Sequence, residues 1–112
     1  MDNQIDIYKV LDYIRDNAGK YAQAKADRVY LEEFRKSLKS KLMVQYQHEG
    51  VNSVVAQERD AYADPEYMTL LEGLKEAVAR EEHLRWMLIA AQAKVSVWQS
   101  LGANARAESK NV

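Results

Sequence analysis

A single proline divides this chain into two stretches where the helical period runs almost without interruption. Pro65 is the one proline among 112 residues, and it stands between Asp64 and Glu66. An Asp cap, a Pro at the first helical position and an acid in the first turn together mark a helix start. With only four glycines besides, the chain lacks the turn residues that a multi-stranded sheet needs. An all-β fold is excluded and an all-α fold is expected.

After Pro65, the residues Leu70, Leu74, Ala77, Glu81, Leu84, Leu88, Ala91, Val95 and Trp98 recur every three or four positions. That 3.5-residue period is the pattern of a coiled-coil seam. A long helix is expected over 65–105, with a polar, mobile tail over 106–112. Before the proline, Ile7, Leu11, Ile14 and Ala18 lie on one face of a short N-terminal helix, expected within 1–18, with Asn17-Ala18-Gly19 either capping it or marking only a bend. A second helix, 20–48, carries Ala24, Leu31, Phe34, Leu38 and Leu42 on one stripe and stops at Gly50. The corner, 50–64, holds two N-cap residues, Asn52 and Ser53, ahead of a short helix through Val54, Val55, Glu58 and Tyr62. The expected architecture is one domain, 1–112: an antiparallel long-helix hairpin with a coiled-coil-like seam.

Helices gain most of their stability from packing an apolar face, and a lone hairpin offers little to pack against. The run Arg85-Trp86-Met87-Leu88-Ile89-Ala90-Ala91 is apolar around its whole circumference, as in a helix covered on every side. A homo-oligomer is expected, with Leu84, Leu88, Ala91, Val95 and Trp98 as its interface. Glu81, the one acid in the seam, is expected to face water or to meet a cation such as Lys41 or Arg35.

Charge is sorted along the chain. Residues 20–48 hold seven Lys or Arg against three acids, whereas 58–82 hold eight acids against three bases. Lys25, Arg28, Arg35, Lys36 and Lys39 fall on one flank of the second helix, with Glu32 among them. Such a flank either pairs with the acidic stretch and sets the hairpin register, or neutralises nucleic-acid phosphates. Tyr21, Tyr30 and Tyr46 on that helix are either packing residues or platforms for bases.

Signals for an enzyme are missing. No Cys is present, and the two histidines, His48 and His83, stand in no metal-ligand spacing. The chain carries no glycine-rich phosphate loop or nucleophile elbow. We expect no catalytic residues, no metal and no cofactor. No run approaches the roughly 18 apolar residues of a membrane span, and MDNQIDIYKV is too acidic for a signal or transit peptide. A cytoplasmic protein without membrane partners is expected.

The run KYAQAKADRVYLEEFRKSLKSKLMVQY at 20–46, with AYADPEY at 61–67 and LRWMLIAAQAKVSVW at 84–98, resembles small early-region helical proteins of tailed bacteriophages. More loosely, the layout is similar to the UvsY-type recombination mediators. The resemblance implies a non-enzymatic accessory protein of DNA recombination or replication in the host-cell cytoplasm. Its partners would be single-stranded DNA, a single-strand-binding protein or a recombinase. The rival reading is a protein-only module that inhibits a host or defence protein, with the acidic stretch Glu72 to Glu82 as its contact surface.

Overall fold

The computed structural model describes residues 4–110, which form three helices and no strand: α1 (Ile7–His48), α2 (Val54–Ala63) and α3 (Pro65–Lys110). Asp6 caps α1, its carboxylate accepting from the Lys9 amide at 3.2 Å. Residues 1–3 of the helix expected within 1–18, and 111–112 of the expected tail, lie outside the described ones.

The separate N-terminal helix expected within 1–18 is instead the first part of α1, which passes through Gly19 without a break. A glycine inside a helix costs about 1 kcal/mol against Ala. Covered positions on both sides of it, Ile14, Asn17, Tyr21 and Ala24, outweigh that cost. The tail expected over 106–112 is likewise helical as far as Lys110. Ala103, Ala105 and Ala107 are the best helix formers, and nothing after Gly102 stops the helix.

The covered stripe of α1 also differs from the apolar one. Leu11, Ala18 and Phe34 are exposed. A stripe withdrawn from water runs through Val10, Ile14, Asn17, Tyr21, Ala24, Arg28, Leu31, Arg35, Leu38 and Leu42, in strict alternation of three and four. Apolar identity found Ile14, Ala24, Leu31, Leu38 and Leu42 of this stripe but missed Asn17, Arg28 and Arg35, which occupy heptad positions. Asn17 is satisfied within its own helix, donating to the Tyr13 carbonyl at 2.8 Å, and arginine stems lie well along apolar surface. On α3 the expected positions from Leu70 to Val95 are the covered ones, and Trp98 stays exposed.

The chain divides into two units, one of residues 23–81 and one of residues 1–22 and 82–112. In the first, Leu38 and Leu42 of α1, Ala61 of α2 and Tyr67 of α3 form a buried cluster, flanked by Met43, Tyr46, Leu70 and Leu71. The corner is closed by local geometry. Gly50 takes φ 97°, a left-handed conformation that suits glycine, and its amide donates to the Gln47 carbonyl while Val51 donates to that of Tyr46. Ser53 caps α2, accepting from the Ala56 amide at 3.3 Å. Buried Gln57 donates to the Val51 carbonyl at 2.7 Å and so ties α2 to the turn. Asp64 serves two neighbours, accepting from the Glu66 amide at 2.8 Å and from the Tyr46 hydroxyl at 2.7 Å. That hydrogen bond favours the neutral phenol and pushes Tyr46 up to about 12.

Candidate functional site

Of the five cations expected on the basic flank, the structure gathers three. Arg35, Lys36 and Lys39 of α1 line a hollow of about 450 Å³ with Ser40, Met43, Tyr62 of α2 and Tyr67 of α3. Tyr62 and Tyr67 form its aromatic wall, their rings edge to face at 5.2 Å. Lys39 lies over the Tyr62 ring at 4.8 Å from its centroid and pairs with Glu58 at 3.3 Å. The Tyr62 hydroxyl and then Glu58 hold the Lys39 ammonium above the usual lysine range, against the effect of burial. Lys36 meets Glu33 at 3.4 Å on the open surface, a pairing that contributes little. Arg35 is different: it is half-buried in a seam position and has no carboxylate partner among the described residues. A guanidinium drawn into a crevice without an anion is a ready receptor for one.

The other two cations stand apart. Lys25 is exposed and lines none of this hollow. Arg28 is committed inside the chain, its guanidinium gripping both oxygens of buried Glu81 at 2.6 and 3.0 Å and reaching Glu32 at 2.9 Å. Hydrogen bonds to Glu81 and then Glu32 raise the Arg28 pKa further above its usual value. Glu81 therefore does meet a cation, but it is Arg28 rather than Lys41 or Arg35. The register of the two helices decides this, and no spacing within one stretch fixes that register.

The residues expected at an oligomer interface are largely used within the chain. In the unit containing 82–110, Ala91 is buried and Leu84, Leu88 and Val95 are half-buried without any second copy. Val10 and Tyr13 stand with Met87, Ala90 and Ala91 around one small hollow. Of that set only Trp98 remains open to water.

The aromatic residues are redistributed too. Tyr21 and Tyr46 are half-buried, while Tyr30 is exposed and stacked on Phe34 with 6.0 Å between ring centres. Tyr62, Tyr67 and Ser40 were not expected at the site. Their signal was faint, since only the packing of α2 carries Tyr62 to the basic flank. Both histidines are exposed, and among the described residues no cluster of His, Asp and Glu could hold a metal. No described helix is long and apolar enough to cross a membrane. No family model, no curated protein and no solved structure matches the chain.

Proposed function

We propose that this chain is a non-enzymatic accessory protein that binds single-stranded nucleic acid through the basic hollow and works as a homo-oligomer. In this reading α1 and α3 form an antiparallel hairpin closed by α2. The observation that carries it is the convergence of Arg35, Lys36 and Lys39 on one hollow beside two tyrosines. Cations of this kind neutralise backbone phosphates, and an aromatic wall accepts a base of any identity. Binding is then sequence-tolerant and weakens with salt. The resemblance to tailed-phage early proteins and UvsY-type mediators supports recombination or replication as the process, in the host cytoplasm, with a single-strand-binding protein or recombinase as partner.

Fluorescence anisotropy with a labelled single-stranded oligonucleotide tests this. About three phosphates per subunit give a log–log salt slope near −2. Lys36→Glu, at an exposed position, combined with the neutral Arg35→Gln abolishes binding while helix content is kept. If the parent shows no affinity at low salt, the proposal fails and the protein-only reading takes its place. One observation favours that second reading: Asp27 and Glu76 line another hollow of the same unit with Tyr30 and Arg80, a surface suited to a basic partner protein.

A further inference from the structure

Helix α3 carries two apolar stripes. The first, through Leu84, Leu88, Ala91 and Val95, is withdrawn from water within the chain. The second runs through Trp86, Ala90, Ala93, Val97 and Leu101, again at steps of three and four, and every one of these residues is exposed. At about 100° per residue the second stripe is centred about 150° around the helix from the first. Trp86 is 58% exposed, Val97 51% and Leu101 53%, with Met87 and Ile89 at the margins. A heptad stripe of this length is the surface that a second helix packs against.

We infer that this stripe is where a second copy of the chain docks, α3 against α3 and antiparallel, about a two-fold axis between Ala93 and Lys94. The inference rests on the homo-oligomer reading and is independent of nucleic acid. Three arguments select the occupant. The first is area. At about 150–250 Å² for a large side chain, these half-exposed residues and the two alanines present roughly 500 Å² per copy, at the upper end for a monomer's largest patch. Two copies bury about 1,000 Å², the lower bound of a specific interface. The second is self-complementarity. Pairing about that axis sets Trp86 against Leu101 and Ala90 against Val97, with both Ala93 residues in the middle. Large then meets medium and small meets medium, so the helices keep an even separation. A parallel pairing would set Trp86 on Trp86 and alanine on alanine, forcing a wedge with a void beside it. The third is the helix dipole, which favours opposed neighbours.

The chain has no cysteine, so single substitutions report pairing cleanly. Under mild oxidation Ala93→Cys links to its own copy. Ala90→Cys and Val97→Cys each fail alone and link when mixed, because a disulfide needs Cβ atoms about 3.5–4.5 Å apart. In sedimentation velocity the parent dimerises at concentrations on the order of 100 μM, and Val97→Glu with Leu101→Glu gives a monomer of unchanged helix content, since both sites are exposed. Ala90→Cys and Val97→Cys each linking to themselves would overturn the antiparallel pairing. An oligomer that survives the double glutamate variant overturns this face and leaves the homo-oligomer reading standing. A parent that stays monomeric throughout overturns both.

Discussion

Residues 23–81 bury Leu38, Leu42, Ala61 and Tyr67 in one cluster, with Ala24, Gln57 and Glu81 also withdrawn from water. In the unit formed by residues 1–22 and 82–112, Ala91 is the only buried residue among those described, and two tryptophans lie open. The two units draw on similar apolar residues, so the difference is one of partners. In the first unit α2 supplies a third helix, and caps at Gly50, Ser53 and Asp64 lock it in place. Among its described residues the second unit has two helical stretches and no third element. A pair of helices can cover one stripe each, and whatever else is apolar waits for another surface. Stability is therefore concentrated around the corner, and the other unit leaves both tryptophans open to water.

The contrast breaks most sharply at Leu42, which is almost fully enclosed. Leu42→Ala is expected to cost about 3–4 kcal/mol, the sum of lost burial and the cavity left behind. The equivalent change at Leu88 in the other unit costs less than half as much, because Leu88 is only half-buried. Urea denaturation of the two variants checks the ratio. Equal losses would mean that the two units share one core.

The Arg28–Glu81 pair sharpens the comparison from the polar side. Arg28→Met leaves a buried carboxylate without its guanidinium and lowers stability, by less than the loss of a fully enclosed pair because the arginine is partly open to water. Adding Glu81→Leu restores most of that loss, since an apolar pair of similar volume packs in the same place. A double-mutant cycle in urea separates the two outcomes. Were the double variant no better than Arg28→Met alone, the pair would not be the cause of the loss.

These two residues also show where sequence reasoning stops. The helical class, the corner with its caps and the α3 stripe from Leu70 to Val95 were legible, because each depends on local periodicity or on a cap within a few residues. The α1 stripe was legible only in part: Ala24, Leu31, Leu38 and Leu42 are covered as expected, but Arg28 and Arg35 look like surface cations until a partner helix shows that they occupy seam positions. The same blindness split the basic flank wrongly. Its linear pattern grouped Arg28 with Arg35, yet the first meets a carboxylate across the helices and the second does not. Tyr62 and Tyr67 were out of reach for a similar reason, as they join the hollow only through the fold of the corner.

A gain is expected at Gly19, in the looser unit. The residue is helical and exposed, and an added methyl group meets nothing within 4 Å. Gly19→Ala therefore raises stability by about 0.5–1 kcal/mol, by restricting the unfolded chain and improving helix propensity. Thermal unfolding followed by circular dichroism reads this as a higher Tm. A lower one would show that α1 needs the flexibility of glycine there.

The smallest effect is expected at Tyr46, whose hydroxyl donates to Asp64 and joins the end of α1 to the start of α3. The phenol titrates at about 12 in the folded chain against 10.0 ordinarily, so the folded state holds its proton more tightly than the unfolded state does. The stability this link contributes is complete below about pH 10 and is lost as pH rises from there to about 12. Tyrosinate absorbance should show one late-titrating group among the seven tyrosines. Tyr46→Phe removes that group, lowers stability slightly at neutral pH and flattens the decline between pH 10 and 12. Since Asp64 keeps its bond to the Glu66 amide in the variant, α3 still starts at Pro65 and only the tie across the corner is gone. A variant whose alkaline unfolding matches the parent's would place the strength of the corner in the apolar cluster of Leu42 and Tyr67 alone.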